Sequence, residues 1–578
     1  MVNFLEEREM YKPKIYLISI FLGMILLFYS ILEIKPVDVN IDDFLGLFSH
    51  LTISYIVGFI FVVICSIKLY FDNDLKKDSI YLTYLIVIGL FLFGIPIFAE
   101  DNARFAWSYY PSGEVKSILD VNKINSFSGH EMGAYYSWPG GHLISTFIIY
   151  ATNIKIENMI KYMPLFWMLS VIFISYSAGK LFKLEGNQCF LIALLTISSF
   201  WTFNYYYGPP SLGYILYLLS FISVIFIFSR IDMYEDEMDK SNLDRNLFVK
   251  KETDRNKNLN NNDKYIDSTV MFLSFFVTVI THMLTSMALI LTFLFSSGDI
   301  YKNRIKITAF MITIFLGWNF YAAPSMFDWG IRDFIKPIMD GTLFNIFTTE
   351  KYSSGTTFIR EMIHYARISY LGFYAILIIL AGIFYLKNSK NNDINRKKVK
   401  ICFLWFFGIL TLLVFRYGAE MDDRVYIMSL LPMSLILVMT FDKRIIATLA
   451  ILFIALHIPA HYGTESYEMV QTTDLIGSEF LASKLNTNDS VNYYYAPLIR
   501  YYNNQFSNSM GFDNQGYFNP DNKSLKGSTY VIYSRQMHNY LSYVFGTDKT
   551  QNWLNTKNSP MLLYDNGNYN IFKNNKID

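Results

Sequence analysis

Long apolar runs separated by short polar breaks dominate this chain and set its class. A membrane-spanning helix needs roughly 20 mostly apolar residues. Runs of that kind lie at 15–33, 51–69, 79–98, 163–181, 188–204, 211–230, 267–281, 283–297, 306–322, 368–386, 401–416, 424–441 and 444–460. They predict an all-α polytopic membrane domain, residues 1–460, with about 13 transmembrane helices. A further apolar stretch, Gly141–Asn153, is too short to span and reads as a re-entrant or interfacial helix. After about Ala460 the pattern changes. S-V-N-Y-Y-Y-A-P-L-I-R-Y-Y, S-T-Y-V-I-Y-S-R and M-L-L-Y-D-N-G-N-Y-N-I-F read as strands, and Leu475–Leu485 as a helix. Asn566-Gly567 is a strong hairpin signal. Residues 461–578 therefore predict a small C-terminal α/β domain.

Lysine and arginine in short loops orient the chain. The 231–266 loop is basic and Asn-rich and reads as a flexible linker; the 387–400 loop and Asp442-Lys443-Arg444 are also basic. All three belong inside. The N-terminus is then cytoplasmic, no cleaved signal peptide is read, and the C-terminal domain is extracytoplasmic. Two large loops, 99–140 and 323–367, share its side.

Composition agrees: 53% of the 578 residues are hydrophobic and only 17% charged. A net charge of +1 gives no field to gather nucleic acid. Cys65, Cys189 and Cys402 each sit in an apolar run and read as small core residues. The chain has no Walker loop, H-E-x-x-H or G-x-S-x-G motif. Chemistry here would draw on a substrate already in the membrane.

Candidate residues cluster where runs end on the outer side. I-F-A-E-D-N-A-R-F-A-W puts Glu100 and Asp101 at the end of the third run. They are either a polar helix end or a reaction centre. The loop that follows holds Glu114 in a helix expected over Glu114–Val121. It ends in Y-Y-S-W-P-G-G-H, with Tyr135, Trp138 and His142. Aromatic rings favour the membrane interface and stack on sugars. A carboxylate at the base of such a loop can act as a general base or hold a divalent metal. F-R-Y-G-A-E-M-D-D-R-V-Y brings Arg416, Tyr417 and Arg424 to a second outer turn. Arginine there either pairs with its acidic neighbours or binds phosphate bidentately. His282, in T-H-M-L-T-S, reads as packing or as a further polar contact.

In this order the motifs resemble the GT-C superfamily of polytopic glycosyltransferases, particularly multi-pass archaeal members. The resemblance rests on the acidic pair, the long loop ending Y-x-x-W-P-G-x-H, the D-R-V-Y turn and the Y-D-N-G-N-Y-N-I-F end. It implies a GT-C-like fold and transfer of a sugar from a polyprenyl-phosphate-linked donor on the outer face. The acceptor is a glycan, lipid or protein. It places the essential acid at Asp101 beside Glu100, with Arg424 and Arg416 on the leaving phosphate. A divalent ion, Mg or Mn, would bind at Asp101. Glu-Asp-Asn departs from the family's usual pair of acids spaced by one residue, and no W-W-D motif is present. Rival readings are a polysaccharide polymerase or ligase, centred on arginine, and a lipid-linked glycan transporter or flippase.

Overall fold

The computed structural model describes residues 2–34, 45–72, 77–122, 137–202, 205–243, 269–296, 304–323, 358–387, 393–414, 421–464, 468–486, 491–492, 497–503, 529–545 and 561–573, with a few isolated positions. In chain order the helices are α1 (Val2–Glu33), α2 (Ile53–Phe71), α3 (Asp78–Ala99), α4 (Ala106–Val121), α5 (Gly140–Thr152), α6 (Ile156–Leu181), α7 (Gly186–Ser198) and α8 (Pro209–Leu243). They continue as α9 (Thr269–Thr281), α10 (Met283–Ser296), α11 (Arg304–Tyr321), α12 (Phe358–Lys387), α13 (Asp393–Leu410), α14 (Met421–Thr440) and α15 (Lys443–Tyr462). Every apolar run meets a helix. Among the described residues, eight helices are long and apolar enough to cross a membrane, and four shorter apolar helices accompany them. Thirteen full spans is therefore more than length and hydropathy support. The segment Gly141–Asn153 forms α5, a helix of 13 residues, too short to span. The 231–266 loop begins later than its composition suggests, because the α8 backbone stays helical to Leu243.

Helix α7 is buried from Cys189 through Ser198, and α14 from Val425 through Val438, so these two form the centre of the bundle. Helices α1 and α12 lie at its rim, where Ile15, Ile18, Phe21, Ile376 and Ile379 are exposed. Apolar side chains on the outside suit a hydrocarbon solvent. The three cysteines are free; Cys189 and Cys402 are buried and Cys65 partly so.

One end of the bundle gathers charge pairs: Lys180 Nζ meets Asp78 at 2.7 Å, Lys443 Nζ meets Glu185 at 4.0 Å, and Lys398 Nζ donates to the Phe182 carbonyl. Helices α3 and α15 start at that end and finish at the opposite one. There α3 changes winding. Leu90–Gly94 forms one π turn before Ile95–Ala99 resumes as α-helix. Pro96 has no N–H to offer the carbonyl four residues back, and the Tyr462 hydroxyl donates to that Leu92 carbonyl instead. Tyr55 donates to Phe91 in the same way.

The C-terminal part carries α16 (Thr472–Ala482), α17 (Pro497–Tyr502), α18 (Arg535–Phe545) and a sheet of order β1-β2-β4-β3. The strands are β1 (Val491–Asn492), β2 (Tyr530–Ser534), β3 (Met561–Asp565) and β4 (Tyr569–Lys573). β1 is parallel to β2, and the other pairs are antiparallel. Asn566-Gly567 turns β3 into β4, with Gly567 at φ +90°, where glycine meets no steric penalty. Of the first expected strand, Val491–Asn492 pairs and Pro497–Tyr502 is helical; residues 493–496 lie outside the described residues. Proline is favoured at the first helical position, which overrides the β-branched and aromatic signal.

This part does not pack by itself. Val470, Leu481, Leu498, Ile499, Ile532, Tyr569 and Ile571 share one core with Ala103, Ala106, Tyr109 and Val115 from the 99–140 segment. Helix α4 also begins eight residues before the expected Glu114, at Ala106. Its buried partners in the C-terminal part supply the packing that local propensity lacks.

Asp474 gives this part a pH dependence. It is buried, and its carboxylate accepts the Gln471 backbone N–H at 2.9 Å, capping α16. Burial pushes its pKa up to about 7. In an unfolded chain it titrates near about 4. The folded state thus holds the proton more tightly, so this stabilisation is complete below about pH 4 and is lost as pH rises through about 7. Asp474→Asn keeps a carbonyl acceptor without the charge. Its thermal midpoint should exceed that of the wild type by about 5 °C or more at pH 8, and match it at pH 4. Equal midpoints at both pH values would show that the buried carboxylate carries no charge penalty.

Candidate functional site: a cationic cleft at the end of the third span

The cleft lies where α3 ends, at the bundle end opposite the Lys180–Asp78 pair. It is a narrow cleft with a cavity volume of about 20 Å³, partly open to solvent. Phe93, Pro96 and Ile97 of α3, with Ile160 and Pro164 of α6, make an apolar wall. Arg104, Lys161, Asn102 and Ser108 make a polar one, and Tyr205 and Tyr206 close it. The π turn in α3 delivers Phe93 to this wall.

Arg104 is fixed from several sides. Its guanidinium lies 3.2 Å from the Glu100 carboxylate, four residues earlier, and both side chains are buried. It also lies over the Tyr462 ring, 5.9 Å from the centroid. Its backbone carbonyl accepts the Val470 N–H at 2.8 Å, next to an antiparallel bridge between Phe105 and Met469. Burial raises the Glu100 pKa above the usual carboxylate range, while the charges of Arg104 and Lys161 draw it back. The second Glu100 oxygen has no hydrogen-bond partner among the described residues.

Behind the cleft stand two buried histidines and Arg367. His457 and His461, one turn apart on α15, stack 4.7 Å apart, and both meet Phe93 edge-on. Tyr205 packs on His461 at 4.8 Å. The Arg367 guanidinium lies over Trp201 at 4.9 Å and donates to the Ala460 carbonyl.

The candidates read from the sequence fall in different places. Glu100 is buried against Arg104 and does not line the cleft. Asp101 is exposed beside Asn102, at the cleft's edge in sequence. Glu114 is buried on α4 near Tyr110, whose ring receives Arg500 of the C-terminal part. His142 is buried on α5 and bonds the Pro111 carbonyl, so it ties α5 to α4. Trp138 is buried beside Ser137, whose carbonyl accepts from Trp318 at 3.0 Å. His282, at the break between α9 and α10, bonds Thr285 and feels the charge of Arg424, which sits in the first turn of α14. None of these seven candidates lines the cleft. Tyr135, Arg416 and Tyr417 lie outside the described residues.

Two cleft cations were not singled out as candidates in the sequence. Arg104 stands inside the quoted acidic stretch but reads there as a flank. Lys161 lies within α6, which begins at Ile156 and not near 163, so it is a charge inside an apolar helix rather than beyond its end. Tyr205 and Tyr206 belong to Y-Y-Y-G-P-P, a string that stands out in the sequence.

Among the described residues, no three His, Cys, Asp or Glu side chains gather to hold a divalent metal, and Asp101 supplies a lone carboxylate.

No family model and no curated protein matches the chain. Among solved structures it is similar to the crystal structure of ArnT from Cupriavidus metallidurans bound to undecaprenyl phosphate, at 9% identity and a TM-score of 0.43. That likeness covers 86% of this chain and 98% of the other.

Proposed function

We propose that this protein is a membrane glycosyltransferase. It takes a sugar from a polyprenyl-phosphate-linked donor at the outer face and passes it to a glycan, lipid or protein acceptor. The cleft is the observation that carries this reading. An apolar wall continuous with two spans faces a wall bearing Arg104 and Lys161. That pairing suits an amphiphile whose anionic head is phosphate and whose chain stays in the membrane. The outer assignment comes from the opposite end, where Lys180, Lys398 and Lys443 lie; basic groups favour the cytoplasmic side.

Transfer joins an acceptor hydroxyl to the sugar's anomeric carbon and breaks its bond to phosphate oxygen. The bonding electrons leave with the phosphate. Arg104 and Lys161 stabilise that growing negative charge. The acceptor's proton needs a base, and in this reading exposed Asp101, next in sequence to the cleft residue Asn102, takes it. Glu100, buried, holds Arg104 in position.

The test measures release of polyprenyl phosphate from a panel of lipid-linked sugars. Membranes with wild-type protein should turn over at least one donor, and Asp101→Asn should slow it by about 100-fold or more. One feature favours a second reading: cations, not carboxylates, line the cleft. Turnover that survives Asp101→Asn but fails in Arg104→Ala would move the assignment to a polymerase or ligase centred on arginine. Binding of polyprenyl phosphate without turnover of any donor would indicate a carrier or transporter.

A further inference from the structure

We propose that the segment Met469–Thr472 of the C-terminal part is a positioning strap for the cleft, setting how Asn102 and Arg104 meet a phosphate headgroup. The proposal rests on the phosphate reading above. Three contacts join the strap to the 102–105 segment. Asn102 Nδ2 donates to Thr472 Oγ1 at 3.0 Å, the Val470 N–H donates to the Arg104 carbonyl at 2.8 Å, and Met469 bridges Phe105. Asn102, Arg104 and Phe105 all line the cleft. Some 370 residues separate the two sides of the first bond. Residues 100–105 lie between α3 and α4, and the strap adds a backbone and an Asn102 contact to the hold that Glu100 and Tyr462 have on Arg104.

The strap is anchored on its far side by the hairpin. Asn566 Nδ2 donates to the Thr473 carbonyl at 2.9 Å, and Asn568 Nδ2 to Gln471 Oε1 at 3.2 Å. The turn of β3 and β4 thus grips residues 471–473, and those grip the cleft. The sheet's role is then mechanical: it fixes the direction of a charged wall built by another part of the chain. Thr472 is exposed and Val470 buried. The first can therefore be changed with little effect on packing.

The experiment uses full-length protein in detergent and measures binding of polyprenyl phosphate, with neutral polyprenol as the reference lipid. Thr472→Val keeps the shape and removes the acceptor; it should weaken phosphate binding about five-fold, the size of one hydrogen bond, and leave polyprenol binding unchanged. Thr472→Ser should restore it. Val470→Pro, which removes the N–H, should weaken it about ten-fold or more, and Val470→Ala should not. A purely structural strap would lower both lipids' binding together and would not distinguish serine from valine. If all Thr472 variants bind as the wild type while Arg104→Ala does not, the strap proposal is overturned and the phosphate reading stands. If Arg104→Ala and Lys161→Ala also bind normally, the phosphate reading falls, and the strap with it.

Discussion

Replacing Arg104 with alanine should abolish detectable binding of polyprenyl phosphate and cost about 3–5 kcal/mol of stability. The two effects have different origins. Stability is lost because Glu100 stays behind, buried and without its counter-charge. Binding is lost because the cleft loses a rigid, permanently charged donor fork, leaving Lys161 as the remaining cation among the residues of its polar wall. A double variant separates them. Glu100→Leu with Arg104→Met removes both charges at once, and replacing a buried pair by apolar residues is often neutral or stabilising. Its thermal midpoint should return towards the wild type while phosphate binding stays absent. A double variant as unstable as Arg104→Ala would show that the pair contributes more than mutual neutralisation. A double variant that binds normally would remove Arg104 from the headgroup site.

The second large effect belongs to two adjacent glycines with opposite expectations. Gly140→Ala should strongly destabilise the protein, and Gly141→Ala should be tolerated. A Cβ at Gly140 would stand 2.5 Å from Thr281 Oγ1 and 2.9 Å from the Ile280 carbonyl oxygen. Backbone cannot step aside cheaply, and overpacking of this kind costs about 1–3 kcal/mol or more. At Gly141 the nearest atom is 3.6 Å away, an ordinary contact. Comparing expression and thermal midpoint of the two variants checks this. Equal behaviour would mean that α5 and α9 do not approach as closely as the structure shows. In sequence, Pro-Gly-Gly reads as a turn. The turn is real at Pro139, but Gly140 is already helical, and its small size serves close packing of α5 on α9.

That pair illustrates what the chain discloses and what it hides. Apolar runs located every long helix, because burial in lipid leaves a simple compositional mark. The hairpin at Asn566-Gly567 was equally plain, since a positive φ asks for glycine. Lys161 was obscured by a boundary error of seven residues: starting α6 at 163 instead of Ile156 turned an interior charge into a flanking one. Arg104 was visible but anonymous, because its importance comes from Tyr462 and Val470, both more than 350 positions away. The strand expected around Pro497 failed for the converse reason: local aromatics suggested a sheet, and the shared core with α4 decided otherwise.

The widened turn in α3 has a consequence for direction. An α-helix advances about 100° per residue, and a π turn takes in one residue more than the α-helical turn it replaces. Everything after Gly94 is therefore rotated by about that angle relative to an unbroken helix. Helical-wheel projection of residues 78–99 assigns Ile95–Ala99 to the wrong azimuth unless this inserted residue is counted. The bearing of the last helical turn, from which the chain leaves the span, is thus set by a single residue's worth of winding deep in the apolar span, and locked by the Tyr462 and Tyr55 hydroxyls on the Leu92 and Phe91 carbonyls.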